Sequence, residues 1–313
     1  MNRSSIARLA TLMAAVAAAL LAFASPALAA TIDVDTTVDE DGTPTNGKCA
    51  LREAVIAAND DMAVDTCATG TGSDTINVPA GNYTLSIPGE DEDDAATGDL
   101  DITDATTING AATRTTTVDG SDLDRVFDVS GGTTKEISRL TITDGAAPGG
   151  DGGGGVRNSG GGLKLRRVAV DANTAASNGG GVSGSGGTLE VVDTTVSGNS
   201  ATAAAGGIRQ DGGRASIINS TVSGNHATLN GGVTAAASTV DIESSTIASN
   251  TSSSAGGGLL TSGLGFGHQH QELDRRGQRH HQLRHRGSSR WGHRLSRQQH
   301  RQRQQLRLRP AHR

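Results

Sequence analysis

A beat of 26 residues runs through the second half of the chain and narrows the folds open to it more than any other feature. Gly-Gly-aliphatic triplets end at Val156, Val182, Ile208, Val233 and Leu259, at steps of 26, 26, 25 and 26. Asn173, Asn199, Asn225 and Asn250 keep that step, and Leu165, Val191, Ile217 and Ile242 keep it as well. Three independent markers over four or five copies define a repeat architecture.

Each copy reads as three short extended segments. One is of the Thr195-Val196-Ser197 type, repeated at residues 221–223 and varied at 246–248; one follows the Gly pair; the third alternates, as in Thr188-Leu189-Glu190-Val191. Alternation turns one aliphatic in each pair inward, and Gly and Asn tolerate the positive φ of tight turns. Three strands and their turns in about 26 residues make one coil of a parallel β-helix, with coils stacked roughly 4.8 Å apart. A helical solenoid would need a 3.6-residue period, which the repeats lack. Stacking also accounts for the composition, 44 Gly against 3 Phe, 1 Tyr and 1 Trp. Such a chain fills its core with columns of small aliphatics, and Asn can form an amide column at a turn.

Upstream, irregular coils are expected from extended segments at 74–78, 83–87, 99–102, 106–108, 115–118, 125–129 and 140–143. Before them Leu51, Ala54, Val55 and Ala58 lie at i, i+3, i+4 and i+7, which predicts a short amphipathic helix ending near Asn59. A helix across the first coil would cover open strand edges and the apolar end of the core.

Residues 1–30 have the tripartite form of an export signal: Arg3 and Arg8, an apolar stretch over 9–23, then small residues around Pro26, with cleavage expected after Ala29 or Ala30. The apolar run is shorter than the roughly 20 residues of a membrane span, and no later segment could span a bilayer. A secreted or cell-surface location follows. In an oxidising compartment Cys49 and Cys67 can pair around the predicted helix and pin it.

The run Cys49-Ala50-Leu51-Arg52-Glu53-Ala54-Val55, followed by Ala57-Ala58-Asn59, resembles the Cys-Ser-Leu-Arg-Glu-Ala motif at the start of exported bacterial β-helix proteins, with Ala50 in place of the usual Ser. Asp74-Thr75-Ile76, Gly81-Asn82-Tyr83-Thr84-Leu85, Gly98-Asp99-Leu100-Asp101-Ile102, Asp124-Arg125-Val126-Phe127 and the Ser-Thr-Val-Ser-Gly-Asn repeats are similar to the same family, so the resemblance covers about residues 31–267. It implies an all-β, right-handed, single-stranded parallel β-helix of the pectate-lyase-like superfamily fold, secreted or surface-displayed, with adhesin-like and lyase-like relatives. The expected organisation is a signal at 1–30, a cap with the first strands at 31–88, coils at 89–267, and a separate tail at 268–313.

That tail carries 13 Arg, no Lys, one Asp and one Glu, hence +11, against −17 for the rest of a chain whose net charge is −6. It contains eight of the nine His and lacks Ile, Val, Thr, Asn, Lys, Tyr, Phe, Met and Cys altogether. A basic nucleic-acid arm would mix Lys with Arg. A shift of reading frame explains the missing types instead. In a gene whose codons mostly end in C, reading two bases late turns Gly, Ala, Val or Asp into Arg, Thr or Ile into His, and Asn or Ser into Gln. Arg301-Gln302-Arg303-Gln304 then permits Val-Ser-Gly-Asn, the signature of the repeat itself. As written, the tail lacks an apolar period and carries much like charge, and is expected to be disordered with no specific nucleic-acid partner.

Chemistry on such a fold would sit on outer faces, as clustered carboxylates with Ca²⁺ or a basic group. The acidic candidates are Asp171, Glu190, Asp193, Asp211, Asp241 and Glu243, beside Lys164, Arg166, Arg167, Arg209 and Arg214; Asp211, Asp241 and Glu243 are the candidates for catalysis. Asp241 and Glu243 flank Ile242 and share a face, as do Arg209 and Asp211 around Gln210. Pairs of this kind are more often solvated surface charges. Glu90, Asp91, Glu92, Asp93 and Asp94 could hold Ca²⁺ through oxygen ligands, although a solvated loop is the simpler reading, and no other cofactor is indicated. Residues 149–153 read as an enlarged turn, and His226 stands alone at a turn. The expected function is a structural, adhesive or ligand-binding role toward an extracellular polysaccharide, matrix or host-surface ligand, with no evident catalysis. The alternative is a polysaccharide lyase or glycoside hydrolase acting on an acidic polysaccharide.

Overall fold

The computed structural model of the protein describes residues 29–90, 92–150 and 152–262. The first 28 residues of the expected export segment and the 268–313 tail lie outside them, and no helix among the described residues is long and apolar enough to cross a membrane.

The described chain is a parallel β-solenoid. A regular coil contributes Val182–Ser185 to sheet I, Thr188–Val192 to sheet II, Thr195–Ser197 to sheet III and Ser200–Ala201 to sheet IV. Every pairing is parallel, and sheets I to IV hold 7, 8, 7 and 5 strands. The coil therefore has four strands where the sequence predicts three. The fourth is two residues long, too short to show alternation, and is held by backbone bonds such as Ser200 N–H to Asn173 O at 2.8 Å.

In-register stacking places Val156, Val182, Ile208, Val233 and Leu259 in one inward column. Leu165, Val191, Ile217 and Ile242 form a second, and Ile142, Val170, Val196, Val222 and Ile247 a third. All but Leu259 are buried. Large rings are nearly absent here; Phe127, stacked between Leu100 and Val156, and Tyr83, which heads the third column above Val118, are the exceptions.

The two corners that flank sheet III turn the chain through the left-handed region in every regular coil. Arg167, Asp193, Asn219 and Ser244 occupy the corner between sheets II and III with φ of 49 to 55°, and Ala172, Gly198, Gly224 and Ser249 occupy the corner after sheet III with φ of 55 to 68°. A buried polar residue follows each of these corners except Arg167, which Val168 follows. Asn199 accepts at Oδ1 from both the Asn173 N–H and its Nδ2, each at 2.9 Å, while its own Nδ2 donates to Val170 O at 2.9 Å and to Asn225 Oδ1 at 2.9 Å. Asn225 and Asn250 repeat the pattern. At the other corner Thr194, Ser220 and Ser245 form a hydroxyl column. Ser220 Oγ accepts from Thr194 N–H at 3.1 Å and donates to Val191 O and Ile218 O.

The Gly-Gly-aliphatic triplet and the Asn column are two halves of one contact, which is why they share a beat. A Cβ on Gly155, Gly181, Gly207 or Gly232 would lie 3.1, 2.9, 3.0 or 3.1 Å from the Nδ2 of Asn173, Asn199, Asn225 or Asn250, and as close or closer to the backbone of the next coil. Only glycine leaves room for the buried amide.

At the N-terminal end, helix α1 (Leu51–Asp60) packs on Thr31–Asp33, Ser73–Val78 and Leu100–Ile102, burying Leu51, Ala54, Val55, Ala57 and Ala58. Cys49 and Cys67 are disulfide-bonded across it, a closure of 18 residues worth on the order of 3 kcal/mol. Glu53 accepts from Ala50 N–H at 2.8 Å, capping the helix from its third position. Arg52 is fully buried: Nε donates to Asp39 Oδ1 at 2.7 Å, and its two Nη groups reach Ala95 O, Gly98 O and Asp99 O at 2.8 to 2.9 Å. Asp39 in turn accepts from the Ser86 and Ile87 N–H groups. The Leu-Arg-Glu-Ala stretch thus seals the core and fastens the 86–99 segment over the first rung of sheet I.

Candidate functional site

Two places gather chemistry-bearing side chains, one inside and one outside. The inner one lies beneath the fastened 86–99 segment. Asp99, Asp101 and Asp128 are each at most 3 % exposed, and one oxygen of each lies within 4.8 Å of the others. Asp101 and Asp128 are register partners on adjacent rungs, and Arg157 follows Asp128 in the same column. Arg125 Nη1 donates to Asp99 Oδ2 at 3.1 Å and to Asp128 Oδ2 at 3.3 Å; Arg157 Nε lies 2.8 Å from Asp128 Oδ2; Ala95 N–H donates to Asp101 Oδ2 at 2.9 Å.

Burial pushes the Asp99 carboxyl up to about 8, helped by the neighbouring Asp101 charge and opposed by Arg125. Burial also raises Asp101, to about 7, against the pull of the Ala95 N–H. Asp128 moves up for the same reason, opposed by Arg157 and Arg125. Even with Arg125 and Arg157 both directed at it, burial of the three carboxyls favours their protonated forms, most strongly at Asp99. Because these groups bind protons more tightly folded than unfolded, their contribution to stability is complete below about pH 4 and is lost as pH rises toward 8. The thermal midpoint should therefore fall between pH 5.5 and pH 8.5, and Asp99→Asn should flatten that slope; an unchanged slope in the variant contradicts the assignment.

The expected Ca²⁺ run lies in the covering segment itself, close enough for Glu92 and Asp93 to act on Asp101, and among the described residues none of its carboxylates belongs to that cluster. Glu90, Asp93 and Asp94 are exposed, Asp91 lies outside the described residues, and Glu92 accepts from the Asp94 and Thr97 N–H groups of its own loop. Asp211 sits on sheet I, 2.7 Å from Arg209. Asp241 sits on sheet II, 2.5 Å from Arg214 on the preceding rung, with Glu243 exposed at the end of its strand. The three catalytic candidates are thus divided between two sheets. Glu190 and Asp193 likewise meet Lys164 and Arg167 at 3.4 and 3.9 Å. His226 is exposed in sheet IV, its Nδ1 3.0 Å from Thr251 Oγ1.

The outer place is the face of sheet III. Its middle residues point inward, so its first and third positions form two outward columns. One runs Asn82, Thr117, Thr141, Ala169, Thr195, Thr221, Thr246; the other runs Thr84, Asp119, Thr143, Asp171, Ser197, Ser223, Ala248. Hydroxyls dominate, two carboxylates interrupt them, and neither column holds a base. Rungs repeat at about 4.8 Å and the columns lie about 6.7 Å apart, and nine of the fourteen positions carry a hydroxyl. Sheet II contrasts with it, its central outward column running Glu136, Lys164, Glu190, Ser216, Asp241.

The fold and these two places define the class, a parallel β-solenoid closed at its N-terminal end by a disulfide-pinned helical cap. Comparison of the chain with protein-family models, with curated proteins and with solved structures gave no match.

Proposed function

We propose that the chain is an exported, non-catalytic β-helix protein of the kind its Cys49 to Ala54 motif resembles, and that it binds a hydroxylated polysaccharide at a cell surface or in an extracellular matrix through the face of sheet III. The observation that carries this reading is the pair of outward columns, in register along seven rungs, with hydroxyls at nine of their fourteen positions. A repeating array suits a repeating ligand. Each hydroxyl contact contributes only about 0.5–1.5 kcal/mol, but contacts on successive rungs act together once the first is made. The disulfide accords with an oxidising compartment. Engagement of Asp211 and Asp241 with neighbouring arginines favours binding over the lyase or hydrolase alternative.

The test is a panel of neutral and acidic polysaccharides, with and without Ca²⁺, assayed for both retention and chain cleavage. Retention on at least one polymer without cleavage is expected. Product formation abolished by Asp211→Asn or Asp241→Asn would replace this reading with the enzymatic one.

A further inference from the structure

The solenoid's two ends differ. Helix α1 and the disulfide cover the first, whereas at the other, sheet I ends on Leu259–Ser262, with Leu259 and Leu260 half exposed, and sheets II, III and IV end one rung earlier, on Thr239–Glu243, Thr246–Ala248 and Thr251–Ser252. Among the described residues nothing stacks on these strands. We propose that this open end is the docking surface for two further coils of the same solenoid, which the gene encodes over codons 268–313 in a different reading frame.

The structure supplies a stringent template for what such coils must contain. Counting back from each buried Asn, the left-handed corner is at −1, the inward aliphatic of sheet III at −3, a residue that is Thr in three of the four regular coils at −4, a buried hydroxyl in those same three coils at −5 (Val168 in the other), the second left-handed corner at −6, and the inward aliphatics of sheet II at −8 and −10. The corner at −6 is a feature of the structure that does not enter the repeat read from the sequence, which opens at −5 with the Ser of Ser-Thr-Val-Ser-Gly-Asn.

Gln278 and Gln304, 26 residues apart, both permit Asn when the tail is read in the shifted frame, since a Gln codon then ends in the AA of an Asn codon. From Gln278, Gly277 permits Gly, Arg275 Val, Asp274 Thr, Leu273 Ser, Glu272 Asn or Ser, and both His270 and His268 Ile. From Gln304, Arg303 permits Gly, Arg301 Val, His300 Thr, Gln299 Ser, Gln298 Asn or Ser, Ser296 Val, and Arg294 Val or Ala. Every corner, hydroxyl and inward position of the template is met in both coils. The decoded Gly pair, at 286 and 287, falls one residue nearer its Asn than in the regular coils. The remaining frame fails at once, because a codon beginning CA leaves Ser, Pro, Thr or Ala at 278 and 304 and never Asn. Between Leu259 and position 268 there are two more residues than between Ile208 and Ala215, so the restored reading carries two extra residues ahead of its first sheet II position.

The proposal does not depend on what sheet III binds, though the decoded Thr-Val pairs would lengthen its face by two rungs. Sequencing the gene and expressing the full chain beside a full-length counterpart with one base restored within codons 263–267 tests it. One insertion or deletion should recover Asn at 278 and 304 together with Ser at 273 and 299. In the restored chain, amide exchange over Leu259–Ser262 should slow by about tenfold or more. If no single-base change recovers those four residues, or exchange at that strand is the same in both chains, the proposal is overturned. Should the restored chain aggregate, exchange is read in a version ending after the first added coil, where equal rates overturn it as well.

Discussion

Replacing Arg52 with Met should destabilise the protein by about 3–5 kcal/mol, the range for removing one partner of a buried ion pair. Met keeps much of the volume but leaves the Asp39 carboxylate uncompensated and the carbonyls of Ala95, Gly98 and Asp99 without their donor. Because Asp39 also holds the Ser86 and Ile87 N–H groups, the loss should propagate into the 86–99 segment. Denaturant titration gives the magnitude, and limited proteolysis within 86–98 should begin well below the global unfolding midpoint. A change under 1 kcal/mol, or unaltered proteolysis, would mean that the guanidinium is not the fastening this account makes it. Lys is not an adequate substitute, since a single ammonium cannot span a carboxylate and three carbonyls in the geometry of the planar fork.

Asn225→Leu should cost about 3–6 kcal/mol, from three buried groups left unpaired at roughly 1–3 kcal/mol each. They are the Asn199 N–H, one of the two Asn199 Nδ2 hydrogens, the other staying on Val170 O, and Val196 O. The Asn250 Oδ1 below would also lose its donors from residue 225. His226→Ala, one residue on but exposed in the short fourth sheet, should change stability by less than about 0.5 kcal/mol. Similar losses in the two variants, read from thermal or denaturant midpoints, would argue against the amide column as a continuous buried network.

These two positions also mark how far the sequence could be read. Asn225 was legible because the regular coils are near-copies: the amide, the glycine that admits it and the inward aliphatics all recur on one beat, so their stacking could be deduced from spacing alone. The hydroxyl column was not, because Thr194, Ser220 and Ser245 lie at turns, where Ser and Thr are common on any surface. Upstream the beat dissolves. Ile76, Ile108, Ile137 and Leu165 stack in register at spacings of 32, 29 and 28 residues, too uneven to reveal a column. The Arg52 role was hidden for a different reason, since its partners lie 13 to 47 residues away. The buried carboxylates were hidden likewise. Asp99 and Asp101 alternate with Leu100 as solvent-facing residues would, and only the fastened segment above turns that outer face into an interior. The hydroxyl face of sheet III could be read residue by residue as Thr-Val-Ser, but that its columns continue in register into the irregular coils, as Asn82, Thr84, Thr117, Asp119, Thr141 and Thr143, follows from the strand pairing.

The functional claim rests on those columns, and isosteric substitution addresses them with little effect on the fold, because Val keeps the β-branched shape of Thr while removing its hydroxyl. With whichever polysaccharide retains the protein, affinity is measured for Thr195→Val/Thr221→Val/Thr246→Val on sheet III and for Thr188→Val/Thr239→Val on sheet II. The sheet III variant should bind about tenfold more weakly or worse, from three lost contacts of at least ~0.5 kcal/mol each, with the sheet II variant unchanged. Equal affinity in the two variants, or a loss confined to sheet II, would contradict the assignment.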